Sequence, residues 1–187
     1  MKRTEIRLAG EGGQGLILAG IILAEAAAVY DGANAVQTQS YGPESRGGAS
    51  KAEVIISEDE IDYPKVNRPD ILLVMSQLAH DKYIGDLRPG GTLIADTSNV
   101  TPRAPEGARV FELPLTDISV NTTGRAIAAN IVALGALVAA TGVVSKDAIE
   151  KAVAARVPAG TVEVNLRALN AGMEVVRRPA TGSGDAH

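Results

Sequence analysis

The chain has 187 residues, 45% of them apolar, with 18 basic and 22 acidic side chains, 3% aromatics, no tryptophan and no cysteine. A chain of this length buries about 70% of the surface its unfolded form exposes, so a single folded body with a sizeable core is expected and disorder of that body is excluded. The missing cysteines remove disulfides, thiolate zinc sites, iron–sulfur ligation and a cysteine nucleophile together, and a net charge of −4 with so few rings to stack on bases argues against nucleic acid.

The first residues, Met1-Lys-Arg-Thr-Glu-Ile-Arg7, carry charges where a secretory signal needs an apolar run, so a cytoplasmic protein is expected. Residues 6–9 form a short strand candidate that runs into Gly10-Glu-Gly-Gly-Gln-Gly15, and residues 16–30 are rich in Ala, Leu and Ile. That is a strand, a glycine turn and a helix. Asp31-Gly-Ala-Asn34 punctuates the helix end and residues 35–39 read as a second strand, completing a βαβ unit that should cross over to a parallel neighbour. The polar, glycine-rich stretch 40–48 reads as a loop, and 52–56 as a strand. Residues 57–64 are acidic and turn-like, whereas 71–75 form the continuous apolar run of a central parallel strand. A helix over 77–87 stops at Arg88-Pro-Gly-Gly91, and strands follow at 92–95 and 108–113.

From Arg125 the reading is helical, with helices at 125–141, 145–157 and about 165–177. Ser145 is an N-cap candidate, and Gly142 and Gly160 are candidate stops. The apolar stretch 126–140 is broken by Asn130 and falls short of the ~20 residues that cross a bilayer, so it reads as a buried helix and no membrane partner is expected. Its Gly135 and many alanines permit close approach to a neighbour, either in the core or at a subunit interface. The resulting fold class is α/β: a Rossmann-like open, mainly parallel sheet with helices on both faces, one domain over residues 1–178 and a mobile tail over 179–187.

Gly10, Gly12 and Gly15 match G-x-G-x-x-G between a strand and a helix, where glycines let an anion approach the backbone and the helix start attracts it. Gly10, Gly12, Gly13, Gln14 and Gly15 are therefore the candidate ligand-binding residues. The alternative is an empty strand-to-helix turn. NAD is disfavoured, because the second strand offers Gln37, Thr38 and Gln39 where a dinucleotide site places an acid. The loop Ser40, Tyr41, Gly42, Pro43, Glu44, Ser45, Arg46, Gly47, Gly48 sets a carboxylate and a guanidinium among residues that fix or loosen the backbone. It reads as a ligand grip or a docking surface, against the simpler reading of a Glu44–Arg46 clamp. His80 has no second histidine to make a metal pair and is expected to be a satisfied surface residue. Glu58, Asp59, Glu60 and Asp62 read as a solvated turn rather than a metal site, and Asp96, at a strand end, has no recognisable acid–base partner.

Gly10-Glu-Gly-Gly-Gln-Gly15, Gln37-Thr-Gln-Ser-Tyr-Gly-Pro-Glu-Ser-Arg-Gly-Gly-Ala-Ser-Lys-Ala-Glu53, Asp62-Tyr-Pro64 and Met75-Ser-Gln77 together resemble the gamma subunit of 2-oxoacid:ferredoxin oxidoreductases, over about residues 3–175. The long Ser-Tyr-Gly-Pro-Glu-x-Arg-Gly-Gly signature is most similar to the 2-oxoglutarate type, with pyruvate, 2-oxoisovalerate, indolepyruvate and phenylglyoxylate enzymes as relatives. Glu11 stands where many relatives carry an apolar or aromatic residue. The resemblance implies a non-redox subunit of a complex that oxidatively decarboxylates a 2-oxoacid, acylates coenzyme A and passes electrons to ferredoxin. It implies alpha and beta, and in some complexes delta, subunits as partners, which hold the thiamine diphosphate, magnesium and iron–sulfur clusters. The gamma chain would then contribute docking surfaces, with residues 40–48 among them, and part of a coenzyme A site. A stand-alone nucleotide-binding protein is the competing reading.

Overall fold

The computed structural model describes residues 3–40 and 48–177. Six strands form one sheet: β1 (Thr4–Glu11), β2 (Asn34–Ser40), β3 (Ala49–Ser57), β4 (Ile71–Val74), β5 (Thr92–Asp96) and β6 (Arg109–Leu113), in the order β2-β3-β1-β4-β5-β6. β1, β4, β5 and β6 pair in parallel, while β3 pairs antiparallel with both β1 and β2. The expected class, an open and mainly parallel sheet covered on both faces, is therefore observed. One step of the expected topology is corrected: β2 runs in the direction of β1 but is not its neighbour, because β3 doubles back into the gap between them. β2 ends at Ser40 and β3 begins at Ala49; an antiparallel pair needs only a tight connection, and pattern alone does not say which strand fills the slot.

On one face pack α1 (Leu16–Glu25), α4 (Ala129–Thr141), α5 (Lys146–Arg156) and α6 (Val162–Arg177), burying Ile6, Leu8, Ile56, Leu73 and Ile94 from the strands. The other face carries α2 (Gln77–Tyr83) over Ala9, Leu72, Val74, Leu93 and Ala95. Strand side chains alternate between these two layers, which is why the central strands read as unbroken apolar runs. Arg7, only 3% exposed, lies on the α2 face, where its Nε donates to Glu53 Oε1 at 2.8 Å, its guanidinium pairs with Asp86, and Tyr83 stacks 5.0 Å from its centre. It also donates to the Val66 carbonyl, pinning the chain segment that links β3 to β4.

The helix expected over 16–30 is continuous, but its last turn, Ala26–Tyr30, is π-helical. The helix expected from Arg125 begins with a single 3-10 turn, Ala126–Ala128, before α4 proper. Ser145 caps α5 by accepting from the Ala148 N–H at 3.1 Å, and Gly142 ends α4 in the left-handed conformation. Gly160 is not a stop, because α5 ends at Arg156 before Pro158 and Gly160 sits in the 3-10 turn leading to α6.

α3 (Leu115–Thr123) was not expected from the sequence. Its run of Thr, Ile, Ser, Val and Asn has poor helix propensity, and it forms because Leu115 is fully buried and Ser119 donates to the Arg125 carbonyl at 2.6 Å. α4 is core rather than interface: Gly135 and Gly172 face each other's helix backbone, letting α4 and α6 touch main chain to main chain.

Candidate functional site at the carboxyl edge of the sheet

The turn 10–15 leaves the carboxyl end of β1, and Met75-Ser76-Gln77 leaves that of β4. α1 then lies on one face and α2 on the other, so the crevice between β1 and β4 is the switch point where doubly wound sheets place ligands. The register of β1 with β3, Gly10 opposite Ser50 and Glu11 opposite Ala49, brings the start of β3 alongside the same turn. Ser40 and Gly48, the described ends of the signature loop, thus lie at this edge; Tyr41, Gly42, Pro43, Glu44, Arg46 and Gly47 fall outside the described residues.

Within the turn, Gln14 folds back across its own loop. Its Oε1 accepts the Glu11 N–H at 2.7 Å and its Nε2 donates to the Met75 carbonyl at 3.0 Å, tying the ends of β1 and β4 together. A Cβ at Gly10 would stand 2.2 Å from that Oε1, so Gly10 makes room for Gln14. Gly15, the residue before α1, has φ +73, and a Cβ there would lie 2.5 Å from Asn130 Nδ2, which donates to the Gly15 carbonyl at 3.1 Å. Asn130, the one break in the apolar stretch, therefore holds the start of α4 to the start of α1. Gly12 and Gly13 have nothing within 4 Å of a Cβ position and form the open lip of the turn.

That lip opens into a cleft of about 620 Å³. Gly13, Gly15 and Leu18 form one wall, Arg125 and Ile127 a second, and Thr161 and Asn165 part of a third. The N-terminal ends of α1, α4 and α6 all border it, and the positive ends of their dipoles favour an anion, while the Ala129, Ile131 and Val162 N–H groups are already bonded to the Ala126 carbonyl, Asn130 Oδ1 and the Ala159 carbonyl. Arg125 adds a mobile-length cation at the mouth, while Leu18, Ile127 and Val164 supply apolar wall. The chemistry suits a long ligand with a phosphate end and an apolar arm.

Other sequence candidates have structural duties. Asp96 is fully buried and accepts from the Ser98 and Thr116 N–H groups, Asn99 Nδ2 and, at 2.5 Å, Thr116 Oγ1, knotting the loop after β5 to α3. His80 is buried, at 1% exposed, rather than on the surface. Its Nε2 lies 3.0 Å from both the N–H and the carbonyl oxygen of Arg103, and its Nδ1 forms a 2.9 Å bond with Asp81. That bond, seconded by Gln77, holds the Asp81 carboxyl below the usual carboxylate range. Glu58, Asp59, Glu60 and Asp62 are exposed, and no group of three or more metal-ligating side chains gathers among the described residues.

The sequence profile of the pyruvate ferredoxin/flavodoxin oxidoreductase family matches residues 5–175. The chain belongs to this family. It is 53% identical to the 2-oxoglutarate synthase subunit KorC of Methanocaldococcus jannaschii over 94% of this chain and 95% of the relative. Against the corresponding subunit of Methanothermobacter thermautotrophicus the identity is 54%, over 93% and 95%. The solved gamma subunit of a keto/oxoacid ferredoxin oxidoreductase from Geobacter sulfurreducens superposes with a TM-score of 0.85 at 53% identity, covering 93% of this chain and 98% of that one.

Within this oxidoreductase fold, sequence reasoning found the glycine turn but missed the opposite walls of the cleft. Arg125, Thr161 and Asn165 lie more than a hundred residues from the turn, in segments with no motif. Asn130 alone left a signal, as a single amide in an apolar helix.

Proposed function

We propose that this chain is the gamma subunit of a 2-oxoglutarate:ferredoxin oxidoreductase, a cytoplasmic complex that decarboxylates 2-oxoglutarate, transfers the succinyl group to coenzyme A and delivers two electrons to ferredoxin. The observation that carries the reading is an identity of 53% and 54% with two 2-oxoglutarate synthase subunits, over 94% and 93% of this chain and 95% of each relative. Alpha and beta subunits, with or without a delta subunit, complete the complex. They hold the thiamine diphosphate, magnesium and iron–sulfur clusters, which supply the carbanion chemistry and electron transfer. A chain without cysteine has no thiolate for a cluster, so this subunit contributes shape and binding.

Its share of the chemistry is assigned to the cleft beside the glycine turn. The Gly12, Gly13 and Gly15 amides receive a phosphate of coenzyme A in the field of the positive ends of α1, α4 and α6, Arg125 neutralises it, and the wall of Leu18, Ile127 and Val164 receives the apolar arm. Gly10 and Gln14 act behind this surface, fixing the turn to β4. The loop 40–48, with Arg46, meets the catalytic subunits at the same edge. Placing an acyl acceptor at a seam between subunits lets assembly complete the site.

Co-purification of the chain with its partner subunits, followed by assay of a 2-oxoacid panel with coenzyme A and ferredoxin, tests this. The highest kcat/KM is expected with 2-oxoglutarate, and no turnover from the chain alone. Preference for pyruvate or 2-oxoisovalerate would reassign the substrate, and nucleotide turnover by the isolated chain would favour the stand-alone reading.

A further inference from the structure

Between α3 and α4 the chain reverses, and the backbone groups that make the reversal all have partners. The Gly124 N–H donates to the Val120 carbonyl at 2.8 Å, and Gly124 takes the left-handed conformation with φ +75. The Arg125 N–H donates to Thr123 Oγ1 at 3.2 Å. The Arg125 carbonyl accepts from Ser119 Oγ at 2.6 Å and lies 3.1 Å from Thr123 Oγ1. Two hydroxyls of α3 thus converge on the main chain of one residue.

Of these two, Ser119 is fully buried and forms no part of the cleft wall. A buried hydroxyl is costly unless it is bonded, and alanine would fill the same place in a helix without that cost. The hydroxyl is committed to the Arg125 carbonyl.

The side chain that leaves this clamped backbone has unusual surroundings. Arg3, Arg7, Arg88, Arg156 and Arg167 are each paired with a carboxylate. Arg125 is exposed and has no carboxylate partner among the described residues, and of those residues it is the one charged side chain that lines the cleft. A cation left unpaired beside the positive ends of helices is set for an anion from outside the chain. Arginine keeps its rotamer freedom until a ligand fixes it, so what the fold can set beforehand is the backbone from which the side chain leaves.

We propose that Ser119 is a positioning residue for coenzyme A: its buried hydroxyl holds the Arg125 main chain so that the guanidinium stands at the cleft mouth where the phosphate binds. Ser119 touches no ligand and acts through Arg125. The inference rests on the assignment of coenzyme A to this cleft. It adds a reason for α3, a helix of poor propensity whose last turns hold the mouth.

Titration of the assembled complex with coenzyme A in the absence of 2-oxoacid, together with steady-state turnover, tests this. Arg125→Ala keeps the backbone clamp and is expected to weaken coenzyme A binding roughly tenfold. Ser119→Ala is expected to weaken it roughly three- to fivefold, the change falling on KM for coenzyme A rather than on kcat or on KM for 2-oxoglutarate. In the double variant the loss should equal that of Arg125→Ala alone, because a hydroxyl that works through the guanidinium has nothing left to position. Threonine and valine share a shape and differ in the hydroxyl, so Ser119→Thr is expected to bind coenzyme A more tightly than Ser119→Val. That comparison decides should the alanine variant fail to assemble. Parent-like binding in Ser119→Ala, a further loss in the double variant, or equal binding in the threonine and valine variants overturns the positioning role. Any of these with Arg125→Ala impaired leaves coenzyme A assigned to the cleft, whereas normal binding in Arg125→Ala removes that assignment and this inference with it.

Discussion

At the lip of the turn between β1 and α1, Gly12 and Gly13 have open space where a side chain would begin; at the crossing of α4 and α6, Gly135 and Gly172 have none. A Cβ on Gly135 would lie 2.0 Å from the Leu169 carbonyl oxygen, and one on Gly172 would lie 1.9 Å from that of Val132. The first pair belongs to a motif that any reader of the sequence notices; of the second, Gly135 stands out only as a small residue in an apolar stretch, and Gly172 belongs to no motif at all. Visibility in sequence and structural necessity are therefore different properties of a glycine. The turn is built to present free backbone, whereas the crossing is built to remove free space.

The sharpest way to break that contrast is Gly172→Ala or Gly135→Ala. Neither helix can yield locally, because the obstruction is backbone, so the helices must separate and strip contacts from the α4 layer of the core. A loss of about 3 kcal/mol is expected, a fall in Tm of about 6–12 °C for a domain of this size, measured by thermal unfolding. A Tm within a degree or two of the parent would show that α4 and α6 do not meet main chain to main chain.

Next comes Gly15→Ala, which needs a left-handed backbone at a non-glycine residue and displaces Asn130 from the Gly15 carbonyl. We expect about 2 kcal/mol, and Asn130→Ala should relieve the steric part while losing its hydrogen bond. Chemical denaturation of the two single variants and the double one reads the coupling; strict additivity would mean that Asn130 does not hold this turn.

Gly10→Ala is a smaller perturbation. A Cβ there meets the end of the flexible Gln14 side chain, which swings away and surrenders its bonds to Glu11 and Met75, and also the buried Leu16 Cδ1 at 2.7 Å, for a cost of about 1–2 kcal/mol. Gln14→Ala should reproduce the hydrogen-bond part of that loss, and amide hydrogen exchange at Glu11 should rise in both. Unchanged exchange would separate Gly10 from Gln14.

Gly12→Ala is expected to leave stability within about 0.5 kcal/mol, since nothing lies within 4 Å and its φ is not left-handed. It is for that reason the best reporter on the ligand, better than Gly13, whose φ of +89 would add strain to any substitution. In the assembled complex Gly12→Val should raise KM for coenzyme A with little change in Tm or kcat. Normal coenzyme A kinetics would leave the turn as strand-to-helix packing only.

The sequence by itself determined the α/β class, the glycine turn at the head of α1, all six strands, the Ser145 cap and the Gly142 stop. Each depends on residues a few positions apart, where backbone sterics and hydrophobic period act without help from the rest of the chain. The family resemblance was legible in the same way, in short runs of exact residues. Tertiary structure decided the rest. Pattern could not place β3 between β1 and β2, because strand order depends on which edges meet in space. α3 exists against its own propensity since Leu115 and Ser119 are buried by other helices. His80 is interior because Arg103, twenty-three residues on, closes over it. The far walls of the cleft, Arg125 and Asn165, join Gly13 only through the packing of three helix starts, and no local rule connects positions so far apart in the chain.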